Sequence, residues 1–368
     1  MIGARQARCQ HISRNAVNGM PSMNSDPGLA RVTRLAPSPT GHMHLGHAWS
    51  FLIAWCLARR SGWRIVLRLE DLDTQRAHRE AEADVRWMLE WLGIDWDGEA
   101  VRQSERMTWH VECMRVLEAK GVVFEAPQSR AELRALRPDV RDPLSQRDVA
   151  SNAGVADGAD APHEGDDVLR FPESLRPPRD RWRFTDRALN HRLALDVGDE
   201  CVHDEVCGTS AFDPHAIWGD PLIWLKAGSA SYQLAVVADD IAQGVTDVIR
   251  GNDLLPSAAL QQRLHALLAR QSTPPPRWWH LPLVRDATGK RLAKRHDALS
   301  VAGLAERGAT ADRVRGAVAF WLGTIETPCD ITREELLEID MERTIRTLSA
   351  RTAVCRVDGS LEAWLVAR

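Results

Sequence analysis

Arg31-Val32-Thr33-Arg34-Leu35-Ala36-Pro37-Ser38-Pro39-Thr40-Gly41, followed two residues later by His44-Leu45-Gly46-His47, decides how the rest of the chain is read. Arg31 to Ala36 reads as a short strand, and Pro37 to Gly41 breaks it into a loop. Leu45 to about Arg60, carrying Phe51, Leu52, Trp55 and Leu57, reads as the following helix, with Gly62 as its stop. Anions bind in such a strand–loop–helix junction, because free N–H groups and the helix dipole converge there. His44 and His47, one helical turn apart, are suited to point at one phosphate group. Two surface histidines at a helix start would show the same spacing. The tight backbone imposed by Pro37, Ser38, Pro39, Thr40 and Gly41 favours the phosphate.

Outward from this stretch the pattern repeats. Ile65-Val66-Leu67-Arg68-Leu69 is a nearly continuous apolar run, as in a buried parallel strand. Val85, Met88, Leu89 and Leu92 predict a helix ended by Gly93, and Met107, Val111, Met114 and Leu117 another, closed by Gly121. Strand and helix in this alternation predict an α/β sheet with right-handed crossovers. Ala150 to Asp167, acidic and without Lys or Arg, reads as a mobile insertion. Gln233 to Val237 predicts a further buried strand, Val248-Ile249-Arg250 a shorter one, and His280 to Val284 the last. Ser257 is the expected N-cap of a helix through Leu268. Val314, Ala317, Val318 and Trp321 open a small helical C-terminal region. The expected division is a tail at 1–30, half-domains at 31–124 and 232–300, an inserted subdomain at 125–231 and the helical region at 301–368.

The chain has 368 residues, enough for two or three domains, and a net charge of −4. That charge excludes a global basic field for non-specific nucleic-acid binding. Arg277 to Arg295 is a local exception, with six basic residues against one acid; a solvated basic loop has the same composition. Seven scattered cysteines argue against a disulfide framework and for a reducing compartment. No run reaches the roughly 18 apolar residues of a membrane span, and residues 1–30 lack the apolar core of a secretory signal. A cytoplasmic monomer without membrane association is expected.

Lys294 follows the last core strand in a cationic loop with Gly289, a suitable phosphate clamp, although an isolated loop lysine is usually just solvated. Arg34 and Arg250 each end a strand, where ligands sit in open α/β folds, and arginine pairs carboxylates through two parallel hydrogen bonds. Glu70 ends its own strand and suits an amino group. Tyr232 is the only tyrosine, against 14 Trp. Cys201, His203 and Cys207 lack the paired spacing of a zinc site.

These residues resemble the glutamyl branch of class I aminoacyl-tRNA synthetases. The match runs through Arg34 to Gly41, His44 to His47, Arg68-Leu69-Glu70-Asp71-Leu72-Asp73, Trp91 to Trp96, Tyr232 to Asp240, Arg250 to Leu255 and the Lys294 loop, covering about 31–124 and 220–322. Within the branch, the chain is most similar to short members that lack an anticodon-binding domain. Such members activate glutamate with ATP without tRNA, then pass it to the queuosine base of the tRNA(Asp) anticodon.

The resemblance implies a Rossmann-like class I catalytic domain split by an insertion. It places L-glutamate against Arg34, Leu35, Ala36, Pro37, Ser38, Glu70, Tyr232 and Arg250. It places ATP, with Mg²⁺, against His44, Gly46, His47 and Lys294, and makes His44, His47 and Lys294 the catalytic set. Arg291 and Ala293 depart from the usual first lysine and serine of the Lys294 loop. Ala126 and Gln128 replace the Cys-x-Cys that commonly begins a zinc site, so zinc is not expected. The RNA acceptor is expected beside Arg277–Arg295, with bases stacking on Trp278 or Trp279. The alternatives are a truncated conventional synthetase charging the tRNA 3′ end and a non-catalytic RNA-binding paralogue.

Overall fold

The computed structural model describes residues 30–39, 41–73, 79–128, 130–135, 171, 173–270, 273–289, 292, 299–348 and 355–367. The acidic stretch 150–167, the tail 1–29 and Lys294 lie outside them. The strands in chain order are β1 (Val32–Leu35), β2 (Arg64–Leu69), β3 (Val101–Arg102), β4 (Val123–Glu125), β5 (His191–Leu193), β6 (Glu200–Asp204), β7 (Gly208–Phe212), β8 (Leu222–Leu225), β9 (Ser229–Ala230), β10 (Asp247–Gly251), β11 (Arg277–Leu281), β12 (Arg285–Asp286) and β13 (Arg356–Val357). Seven of them form one sheet in the order β3-β2-β1-β10-β11-β6-β7. All neighbours in it are parallel except the β6–β7 hairpin. Strands β4, β5, β8 and β9 form a separate antiparallel sheet.

The apolar faces explain this layering. Helix Leu45–Arg60 follows β1 and is buried along most of its length, with Trp49, Leu52, Ile53, Trp55 and Leu57 in the main core. The C-terminal helices Ala311–Trp321, Arg333–Glu338 and Met341–Arg346 pack against it through Val314, Leu336, Met341 and Ile345. A second core lies between the antiparallel sheet and helices Met107–Ala119 and Tyr232–Gln243. The β1–β10 junction is the point where strand order departs in opposite directions, to β2 on one side and β11 on the other. Open α/β sheets bind ligands outside the carboxyl ends of the strands at such a junction.

Three expectations are corrected. Gln233 to Val237 is not a strand but part of helix Tyr232–Gln243, which ends on Gly244 in the left-handed conformation at φ 66°. Every residue from Gln233 to Asp240 is buried, and a helix enclosed on all sides shows no 3.6-residue stripe. Ser257 is not an N-cap: helix Leu255–Leu268 starts two residues earlier, and the Ser257 hydroxyl accepts from Gln233 Nε2 at 3.3 Å. Strands β6 and β7 come from within 125–231 yet complete the main sheet, so that segment is not wholly an insertion outside it.

Candidate active site

The carboxyl edge of the sheet opens into a cleft of about 360 Å³. Arg34, Ala36, Pro37, Ser38, His44, Gly46, His47, Glu70, Tyr232 and Arg250 all line it, brought together from β1, β2, β10 and two helix N-termini. Leu35 does not. Its side chain is fully buried in the core, because alternate residues of a strand face opposite ways, leaving only its backbone on the ligand side. Leu292 lines the cleft, and Ser300 forms an isolated antiparallel bridge with His44. The chain on both sides of Lys294 is therefore anchored at this site.

His44 is the N-cap of helix Leu45–Arg60, and its Nδ1 accepts from Gly46 N at 3.1 Å. Reciprocally, His47 Nδ1 accepts from His44 N at 3.1 Å, a capping box built from two imidazoles. An Nδ1 that accepts a backbone N–H cannot carry its own proton, so both neutral rings carry it on Nε2, as donors. The ring centroids lie 4.0 Å apart. Two imidazoles over a 16-residue helix N-terminus are chemically suited to phosphate oxygens. Gly46 is required by this closeness: a Cβ there would meet His44 Cε1 at 2.9 Å and Nδ1 at 3.0 Å. Gly46→Ala is expected to turn the His44 ring and weaken binding of a phosphate-bearing ligand about tenfold, with little change in melting temperature. Unchanged binding would show that His44 does not act from this rotamer.

A charged cluster adjoins the same cleft, which Arg34 and Glu70 line. Arg68, fully buried in β2, donates to Asp240 Oδ1 at 2.6 Å, Gln243 Oε1 at 2.8 Å and Glu70 Oε1 at 3.3 Å. Burial pushes the Glu70 carboxyl up against the pull of Arg68 and Arg34. Arg34 donates to Ile249 O at 3.3 Å and has its Nε 3.6 Å from Asp240, a separation beyond hydrogen bonding. That buried Nε has no hydrogen-bond partner among the described residues, and burial lowers the Arg34 pKa despite Asp240. A guanidinium does not deprotonate, so Arg34 stays a cation at the cleft, ion-paired with Asp240 but with a buried Nε left over, and is suited to an anion. Burial raises the Tyr232 pKa, keeping its phenol protonated.

Arg250 is held on three sides. Its Nε donates to His280 Nε2 at 3.0 Å, one terminal nitrogen to Gln261 Oε1 at 2.8 Å and the other to Leu254 O at 3.2 Å. His280 in turn meets Asp204 Oδ2 through Nδ1 at 2.6 Å. Burial depresses the His280 pKa to about 4, although Asp204 pulls it up. Sequence reading missed Asp204, His280, Gln261 and Asp240. The available signal was a charge inside an apolar run, as with Arg68 in Ile65–Leu69 and Asp239-Asp240 after Val237.

Trp278 and Trp279 correct a further expectation. They are 3% and 0% exposed, with their indole N–H groups given to Gln262 and Asp247, so neither presents a face to an RNA base. Arg277, at the opposite end of β11 from the cleft, is paired with Asp247. Ala126 packs in a small core with Phe124, Leu133 and Phe171. Among the described residues no group of three or more His, Cys, Asp or Glu side chains stands close enough to hold a metal. Cys207 gives its thiol to His280 O, and His203 Nδ1 meets Thr209 Oγ1. No helix among the described residues is long and apolar enough to cross a membrane.

Residues 31–318 match the family model for the catalytic domain of class I tRNA synthetases of the E and Q type, and the chain belongs to that family. Among its relatives is a protein of Nitratidesulfovibrio vulgaris named Glutamyl-Q tRNA(Asp) synthetase, 37% identical over 79% of this chain and 86% of the relative. A protein of the same name from Rhodobacter capsulatus is 34% identical over 78% of this chain and 100% of the relative. Glutamate–tRNA ligase 1 of Jannaschia sp. is 35% identical over 80% of this chain but 56% of the ligase. The solved glutamate tRNA ligase of Elizabethkingia meningosepticum shares the fold, with a TM-score of 0.69 at 23% identity, over 92% of this chain and 69% of that one.

Proposed function

We propose that the protein joins L-glutamate to ATP, forming glutamyl-adenylate, and transfers the glutamyl group to the queuosine base of tRNA(Asp). The observation that carries this reading is the cleft itself. Arg34 with its partnerless Nε, forked Arg250 and the Glu70 carboxylate line the same cleft as two imidazoles at a helix N-terminus. The arginines suit the carboxylate, Glu70 the ammonium, and the imidazoles the phosphates. A glutamate carboxylate oxygen attacks the α-phosphorus of ATP, the bond to the β-phosphate oxygen breaks, and pyrophosphate leaves. Mg²⁺ enters with ATP and neutralises the departing charge. A queuosine hydroxyl then attacks the acyl carbon, losing its proton as AMP departs, which leaves glutamate as an ester. The alignments spanning 86% and 100% of the relatives named for glutamyl-Q transfer support that acceptor. On this reading 31–124 and 232–300, with β6 and β7, make the catalytic unit.

Glutamate-dependent ATP–pyrophosphate exchange without tRNA tests the first step; its absence would favour a silent RNA-binding paralogue. Glutamine is expected to be a poor substrate, because its NH₂ would set a donor against guanidinium donors. Each unpaired group then costs about 1–3 kcal/mol, roughly 5–150-fold. Arg250→Ala should raise the glutamate KM while ATP binding holds. Comparable use of glutamine and glutamate would show that the arginines do not read the carboxylate.

A further inference from the structure

We infer that Asp204 and His280 act as positioning residues for substrate recognition, locking one imidazole tautomer that fixes the Arg250 guanidinium fork. The inference rests on the reading above that Arg250 binds the substrate carboxylate. Neighbouring parallel strands set the geometry: Asp204 of β6 is in register with Trp278 of β11, and His280 of β11 with Arg250 of β10. All three side chains are nearly or wholly buried.

A guanidinium has only donors, so His280 Nε2, at 3.0 Å from Arg250 Nε, must accept. The single proton of the neutral ring therefore sits on Nδ1, where Asp204 Oδ2 accepts it at 2.6 Å. Asp204 is itself fixed. Its Oδ1 accepts from Val206 N at 2.9 Å and Cys207 N at 2.7 Å, and Oδ2 also from His280 N at 3.1 Å. With Nε on His280 and one bond each to Gln261 and Leu254, three of the five guanidinium N–H groups are committed. One remains on each terminal nitrogen, the number a carboxylate takes in two parallel hydrogen bonds. Gln261 is braced in its turn by Gln233 at 2.9 Å.

Asp204→Asn tests the tautomer. Two backbone N–H groups demand an acceptor at Oδ1, so the new NH₂ falls at the Oδ2 position, facing His280 Nδ1. The ring must then accept there, move its proton to Nε2 and oppose the Arg250 N–H. The glutamate KM is expected to rise about 10–100-fold, with kcat and the ATP KM changed far less. His280→Asn, which keeps a partner for Asp204 but not for Arg250, should do the same. His280→Gln, whose side-chain oxygen reaches the Nε2 position, should stay close to wild type. In an Arg250→Ala background Asp204→Asn should add nothing.

Nitrogen-15 spectra of histidine-labelled full-length protein should show the His280 ring protonated at Nδ1 near neutral pH, whether or not the variants fold. An Nε2-protonated or charged His280 would overturn the inference. So would glutamate KM values unmoved in Asp204→Asn and His280→Asn, or equal losses in the glutamate KM, ATP KM and kcat, which mark a plain buttress. Failure of the underlying reading is separable: the glutamate KM would then stay at its wild-type value in Arg250→Ala itself.

Discussion

Lys294→Ala and His47→Ala are each expected to slow glutamate-dependent ATP–pyrophosphate exchange by about 10²–10³-fold, the scale of losing one preorganised donor to developing charge. The glutamate KM should move much less. His47 is expected to act through Nε2, because its Nδ1 is engaged by the backbone N–H of His44. Charge builds on the equatorial oxygens and pyrophosphate only as the bond breaks, so a donor placed for it contributes to kcat more than to binding. Lys294 is assigned from the sequence pattern, between Leu292, which lines the cleft, and Ser300, which bridges to His44. Wild-type exchange in either variant would remove that residue from the catalytic set. The double variant should lose less than the product of the two single losses, because the groups act on one transition state.

Queuosine-containing tRNA(Asp) stripped of its terminal adenosine is expected to accept glutamate, while an unmodified transcript with an intact 3′ end is not. The two acceptors differ in which hydroxyl is absent: removing the adenosine deletes the ribose nucleophile, and the unmodified base lacks the cyclic hydroxyls. An anticodon loop is single-stranded, and its bases can splay away from their stack to reach an adenylate. Trp278 and Trp279 do not provide the stacking surface, since both are core residues of β11. Labelled glutamate recovered on each RNA by gel decides the matter. Acceptance by the transcript alone would identify a minimal conventional glutamyl-tRNA synthetase.

Much of this architecture was legible where the sequence carries a period or a terminus. The strand, loop and helix from Val32 to Arg60 fall as read, as do Arg34, Glu70 and Arg250 at strand ends, because apolar runs cut by Pro or Gly declare their own limits. Tyr232–Gln243 reads as a strand because burial of every residue from Gln233 to Asp240 erases the polar face that distinguishes a helix. The β6–β7 hairpin and the Asp204–His280–Arg250 arrangement were not legible. In the latter the partners lie 76 and 30 residues apart, and only strand order brings them into register. The family pattern includes Leu35 with its neighbours, whereas strand alternation sends its side chain to the core.

The pairing of β1 with β10 joins Thr33 to Asp247, 214 residues later. At about 5–20 residues per second, roughly ten to forty seconds separate their synthesis. Through that interval β1 can find β2, which follows closely, but its other edge has nothing to pair with. A growing chain on the ribosome thus carries a bare strand edge at the very place where the mature cleft will form. Such edges recruit other strands. Slow translation or crowded polysomes should therefore favour aggregation of the first half of this protein over its second.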